Sequence, residues 1–172
     1  GEKICGIYCE LPSNPLLRSA DLNSIKRITG SFNIPVVVDD TVATNVNVDV
    51  FKYADVATTS LTKYYSGVGD VIAGAVIVNR ESQHRDKIVS QLKTQNDSTL
   101  YAEDAIVLNN NMIDYRKRVL RVNQTAPRLV DLLNNHHSIS KVWYPKYETR
   151  MHYDAVKREG GGYSGLFSIE LK

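Results

Sequence analysis

A chain carrying Ile34-Pro-Val-Val-Val-Asp39-Asp40-Thr41 has few places to put that run. β-Branched residues with no polar alternation need apolar cover on both faces, and strands buried in that way belong to parallel sheets layered between helices. The run then stops on two carboxylates. In an open α/β sheet, ligands sit outside the carboxyl ends of the strands, so Asp39 and Asp40 fall where chemistry is done. Two aspartates in that position also serve simply to end a strand and begin a turn.

A second segment repeats the arrangement. Ala54-Asp-Val-Ala-Thr-Thr59 reads as a strand, and Ser60-Leu-Thr-Lys63 leaves its end on a loop, with an amine beside two hydroxyls. Most loop lysines are only solvated. Here, however, one sheet edge offers an acid able to pair with a pyridinium nitrogen, Asp39, and a lysine able to form a Schiff base, Lys63. With Ser60 and Thr62 beside a phosphate, these are the parts that pyridoxal phosphate chemistry requires. The glycine run Gly67-Val-Gly-Asp-Val-Ile-Ala-Gly74 invites a nucleotide-binding reading. A dinucleotide fingerprint opens a helix, whereas Gly74 leads straight into apolar Ala-Val-Ile-Val, and the third glycine is misplaced.

Four motifs in order, Glu10-Leu-Pro-Ser-Asn-Pro15, Val36-Val-Val-Asp-Asp-Thr41, Ser60-Leu-Thr-Lys63 and Gly67 through Gly74, resemble the cystathionine synthase and lyase family of pyridoxal phosphate enzymes. Within that family the fungal type of cystathionine γ-synthase is similar in the acid after Asp39, in Asn45-Val-Asn-Val48, in Glu103-Asp-Ala105 and in Val142-Trp-Tyr-Pro-Lys-Tyr147. The resemblance implies an α/β fold: part of a fold-type I, aspartate-aminotransferase-like large domain with a mainly parallel sheet, then part of a smaller α+β C-terminal domain. It implies Lys63 as the catalytic, cofactor-bearing lysine, Asp39 at the ring nitrogen, Ser60 and Thr62 at the phosphate, and Asn14 at the phenolic oxygen. Asn14 in Asn14-Pro15 also suits a plain turn. The implied reaction replaces the acyloxy group at Cγ of an O-acylhomoserine by cysteine sulfur, giving cystathionine and a free carboxylate. Sulfhydrylation of the same substrates and lysis of cystathionine use the same parts.

Family members are more than twice this length, so the resemblance also implies a fragment. The upstream part would carry a glycine loop for the phosphate and an aromatic stacking on the ring, and the downstream part an arginine for the substrate carboxylate. Active sites in the family are completed by a neighbouring subunit, which implies a homo-oligomer, a dimer or tetramer, for the full-length protein. One departure matters. Fungal relatives tend to carry Glu-Arg-Asn-Ser-Arg-Asp where this chain has Leu108-Asn-Asn-Asn-Met-Ile-Asp114, so two arginines, the usual clamps for carboxylates, are absent. That leaves a catalytically degenerate homologue, a binding or partner subunit, as the rival of another class.

Charge and composition exclude some partners. The 21 basic and 19 acidic residues leave a net charge of +2, which suggests neither nucleic acid nor an acidic membrane surface. No apolar run is long enough for a bilayer, and no signal-peptide pattern is present. A cytoplasmic protein, with the nucleus also open, and small amino-acid substrates are expected. Cys5 and Cys9 would share a strand face roughly 13 Å apart, beyond disulfide reach, and read as core thiols. No ligand set for a metal is expected around them.

Along the chain, a strand to about Glu10, a helix from Leu22 to about Phe32 capped by Asp21 with Leu22, Ile25, Ile28 and Phe32 on one face, and the Asp39 strand form a βαβ-like unit. Residues 42–53 read as loop and turn, and Ala73–Asn79 as a second core strand flanking Lys63. An exposed helix from Glu81, a capped loop at Asn96-Asp-Ser-Thr99, one long helix from Tyr101 to about Val122, and a helix from Ala126 to His136 with Pro127 in its first turn follow. His136-His137 reads as a surface helix end. A strand at Ser140–Tyr144, a helix around Arg150–Arg158 and a strand at Leu166–Leu171 complete the reading. The domain expectation is 1–115 for the cofactor-binding domain and 116–172 for the start of the small one.

Overall fold

The computed structural model describes residues 3–94 and 100–172, so the loop expected at Asn96–Thr99 lies outside the described residues. Four strands, β1 (Ile7–Glu10), β2 (Val36–Asp39), β3 (Val56–Ser60) and β4 (Gly74–Val78), form one sheet in the order β1-β2-β3-β4. The first three run parallel, with Glu10 opposite Asp39 and Asp39 opposite Thr58, while β4 returns antiparallel, with Gly74 opposite Ser60. Between β1 and β2 lies α1 (Leu22–Ser31). The Asp21 carboxylate accepts from the Ser24 N–H and satisfies a donor that the helix start would leave orphaned.

Two interior strands carry the main core. Val36, Val38, Val56 and Ala57 are buried, and Leu11, Leu22, Val48, Tyr153 and Val156 close around them. Residues 42–53 are turns, with a single bridge from Val48 to Lys157. The expected apolar face of α1 is narrower than its spacing suggests. Leu22 and Thr29 are buried, Thr29 because its hydroxyl donates back to the Ile25 carbonyl, while Ile28 and Phe32 are exposed. Strand β4 is likewise an edge and not a core strand, with Val76 and Ile77 exposed. An apolar run requires cover but cannot say which part of a molecule supplies it.

Beyond β4, α2 (Arg85–Thr94) buries no residue. The single long helix expected from Tyr101 is two: α3 (Ala102–Asn111) and α4 (Tyr115–Asn134), separated by a 3-10 turn at Met112–Asp114. The break follows Asn109-Asn-Asn111, residues of low helix propensity, and the Asn111 side chain donates outward to Ser66 and Asp70. Helix α4 instead runs through Pro127, held by the stripe Tyr115, Val119, Ala126 and Val130, which is buried at helical spacing. The stripe outweighs the hydrogen bond that proline removes.

Strands β5 (Ile139–Trp143) and β6 (Ser168–Leu171) pair antiparallel, with the short α5 (Arg150–Asp154) between them. Val130, Val142 and Tyr144 form a second, smaller core, and Tyr163 packs against both clusters. His136 and His137 lie just past α4 and are exposed. Cys9 is partly buried, but Cys5 is exposed, because it precedes β1 and lies outside the sheet. Among the described residues no helix is long and apolar enough to cross a membrane.

Candidate active site

Strand register brings the carboxylates and the lysine to one edge. Asp39 is the last residue of β2 and faces Thr58 of β3, and β3 ends at Ser60, three residues before Lys63. The chain does not leave β3 as a loop, as the sequence suggested. It winds through one turn of π-helix, Leu61–Ser66, that ends on Gly67 with φ of 75°. Gly67 there both adopts the left-handed backbone and leaves room for Arg118, whose Nη1 would sit 2.2 Å from an added Cβ.

Asp39 is held by three donors. Its Oδ1 accepts from the Thr41 N–H at 2.9 Å, and its Oδ2 accepts from the Tyr8 hydroxyl at 3.0 Å and the Thr58 hydroxyl at 3.3 Å. The Thr41 hydroxyl in turn accepts from the Ser60 N–H at 2.7 Å, tying the ends of β2 and β3 together. Tyr8, Thr41 and Thr58 escape a reading by motif. Strand alternation could have found Tyr8, which shares a face with Glu10, and Glu10 pairs with Asp39. Burial and the neighbouring Asp39 carboxylate raise the Tyr8 pKa.

Asp40 differs from its neighbour. It is buried, and the loss of water raises its carboxyl to about 6 against the opposing Thr59 hydroxyl and Arg158 charge. Asp39 therefore faces the edge while Asp40 faces the interior, as alternation requires.

Thr62 is engaged locally. Its hydroxyl accepts from the Ala73 N–H at 3.0 Å and donates to the Ala73 carbonyl at 3.4 Å. Asn14 is exposed, and its N–H donates to Glu10. Lys63 is exposed and forms no ion pair with another described residue. It lines a cavity of about 540 Å³ together with Tyr64, Gly67, Arg118, Arg121 and Thr125, between the π-turn and α4. Asp39, Ser60, Thr62 and Asn14 do not line that cavity, so the sheet edge, and not the cavity, groups the expected residues.

The turn bearing Lys63 is gripped from three sides. Arg118 donates to the carbonyls of Tyr64 and Tyr65, both at 2.7 Å. The Tyr65 and Tyr115 rings stack with centroids 4.0 Å apart. The Tyr64 hydroxyl accepts from the Ser164 hydroxyl at 2.8 Å and the Gly165 N–H at 3.2 Å. Ser66 and Asn111 both donate to Asp70 and hold its carboxyl below the usual range. None of these partners was singled out from sequence.

The donor set fits pyridoxal phosphate. An oriented carboxylate that still presents its edge could accept from a pyridinium N–H, and a lysine that forms no ion pair among the described residues, on the turn after the next strand, could take the aldehyde carbon.

Comparison with known proteins agrees. A family model described as Cys/Met metabolism PLP-dependent enzyme matches residues 2–172. A cystathionine γ-synthase of Neurospora crassa is 38% identical over 100% of this chain, which spans 28% of that relative. An alanine racemase of Aspergillus violaceofuscus is 34% identical over 96% of the chain, which spans 31% of it. A cystathionine γ-synthase structure from Xanthomonas oryzae pv. oryzae superposes with a TM-score of 0.84 at 24% identity, covering 98% of this chain and 43% of that one, which establishes a fold-type I architecture of which this chain covers part. Four ordered motifs, the fold and the family match converge: the chain belongs to the Cys/Met metabolism family of pyridoxal phosphate-dependent enzymes.

Proposed function

We propose that the whole protein is a cystathionine γ-synthase, forming a bond from cysteine sulfur to Cγ of an O-acylhomoserine as the Cγ–O bond breaks and the acyloxy group leaves as a carboxylate. The pairing of Asp39 with Thr58 at the sheet edge, with Lys63 on the turn that follows, supports the cofactor chemistry, and the 38% identity to the Neurospora crassa cystathionine γ-synthase supports this reaction among its sisters. When bound, pyridoxal phosphate supplies an electron sink for charge developing beside the substrate amine. Lys63 would hold the cofactor, and its ε-amine would move protons at substrate Cα and Cβ. Asp39, fixed by Thr41, Thr58 and Tyr8, would pair with the ring nitrogen. Ser60 and Thr62 would receive the phosphate, and Asn14 the phenolic oxygen. Thr62 must then share or give up its bonds to Ala73.

The 34% identity to an alanine racemase favours keeping sister reactions in view, with O-acylhomoserine sulfhydrylase and cystathionine lyase the runners-up. A degenerate homologue acting as a partner subunit is the reading of another class. Against full activity stands the Leu108–Asp114 segment, which lacks two arginines and packs its Asn111 on Asp70 and Ser66. Division at 115/116 into a cofactor-binding domain and the start of a small domain, a homo-oligomeric state and a cytoplasmic location belong to the same proposal. The separate core of Val130, Val142 and Tyr144 supports the division.

Borohydride reduction of the whole protein with its cofactor, followed by mass spectrometry, should label Lys63, and Lys63→Ala should lose the label and turnover together. Labelling at another lysine would sink the assignment. Assays with acylated homoserines and either cysteine or sulfide separate synthase from sulfhydrylase.

A further inference from the structure

A helical turn leaves its last carbonyls without intrahelical partners. In the turn that carries Lys63, the Gly67 N–H closes onto the Lys63 carbonyl at 2.7 Å, and the next two carbonyls, of Tyr64 and Tyr65, point toward α4. One side chain satisfies both. The Arg118 guanidinium gives Nη1–H to Tyr64 and Nη2–H to Tyr65, gives a second Nη2–H to the Asn111 carbonyl at 3.0 Å, and gives Nε–H to the Asp114 carboxylate at 2.6 Å. All four bonds lie in one planar fork, and the carboxylate behind it fixes the fork's rotation. The fork also ties the end of α3 to the Lys63 turn through Asn111.

Two further observations show that the contact is built in. At Gly67, whose φ of 75° already calls for glycine, the Arg118 Nη1 occupies the space a Cβ would take. Arg118 is also one helical turn beyond Tyr115, whose ring stacks on Tyr65, so the first turns of α4 grip the Lys63 turn at two adjacent points. Arg118 lines the same cavity as Lys63.

We propose that Arg118 is a positioning residue for Lys63: by capping the carbonyls immediately after the lysine it fixes the backbone from which the amine projects. The proposal rests on the assignment of Lys63 as the cofactor-bearing residue. Lysine at 118 could not substitute, since one ammonium is a point donor and cannot span two carbonyls while pairing with Asp114.

The test uses the whole protein with pyridoxal phosphate, and reads Lys63-specific borohydride labelling and amide hydrogen exchange at Tyr64–Gly67. Arg118→Ala should lower the labelling rate on the order of tenfold, as misplacement of a reacting group does, and speed exchange at those amides. Millimolar guanidinium should restore both in Arg118→Ala and neither in Lys63→Ala. Arg118→Lys, which keeps the stem and the charge, should behave like Arg118→Ala, and it carries the test if the alanine variant does not fold. Wild-type labelling and exchange in a folded Arg118→Lys protein would overturn the proposal, as would loss in Arg118→Ala that guanidinium leaves unchanged. Wild-type labelling at a lysine other than 63 would overturn the cofactor assignment instead, while faster exchange in Arg118→Ala would still report the cap.

Discussion

In the β1–β4 sheet, polar groups meet because strand register places them opposite one another, as Asp39 and Thr58 are. In the β5–β6 part they meet through phenols. Tyr144 donates to the Ser164 carbonyl, Tyr153 to the Gly162 carbonyl, and Tyr64 reaches across to Ser164 and Gly165. The first part has an apolar interior shaped by strands, and the second has a small core beside which Tyr163 packs its ring against both Tyr144 and, from the main core, Tyr153. Backbone pairing fixes positions by sequence spacing alone. Side-chain hydrogen bonds fix them only once distant segments have docked.

The largest effect that would break this contrast lies in the main core. Leu11 is fully buried among Val36, Val38 and Val48, so Leu11→Ala should cost about 2–5 kcal/mol by thermal or denaturant unfolding of the whole protein. A cost as small as that of a surface change would mean that the sheet does not supply the stability assigned to it.

A smaller effect should follow pH. Folding raises the Asp40 carboxyl from 3.8 to about 6, so between those values the folded chain holds a proton that the unfolded chain has released. Stability from this group is present below about pH 4 and declines as pH rises through about 6. Asp40→Asn should remove the decline and stabilise the protein at pH 7 by about 1–3 kcal/mol. Parallel melting curves for the two proteins from pH 4 to 7 would show instead that Asp40 is ionised at little cost.

The smallest effect sharpens the other side. Tyr144→Phe removes one buried hydrogen bond, to the Ser164 carbonyl, and should cost about 1 kcal/mol. Hydrogen exchange should rise around residues 160–165 and stay unchanged at 36–39, where register and not phenols holds the chain. Equal loosening in both places would erase the distinction.

The same contrast explains what could be read in advance. Asp39 and Lys63 were legible because each ends an apolar run, and apolar runs mark strands whatever else the molecule does. Tyr8 and Thr58 carry no motif, since their roles come from pairing with a neighbouring strand, and Thr41 meets Asp39 in a local turn, a contact that no motif marks. The exposure of β4 was hidden for the opposite reason, because a run rich in valine and isoleucine looks the same with or without a neighbour to cover it. The break between α3 and α4 was missed although Asn109–Asn111 are poor helix formers, and the passage of α4 through Pro127 depends on Ala126 and Val130 finding cover. Arg118 could not be found from spacing, as Tyr64 and Tyr65, whose carbonyls it caps, are more than fifty residues away.

The hydroxyl bond between Tyr64 and Ser164 spans 100 residues of chain. Ribosomes extend a chain at about 5–20 residues per second, so strands β1 to β3 are complete many seconds before Ser164 exists. Local pairing can proceed during that interval, but the turn bearing Lys63 lacks both the Ser164 hydroxyl that donates to its Tyr64 phenol and, for part of it, Arg118. Lys63 therefore reaches its final geometry late in synthesis, after the sheet on which it stands.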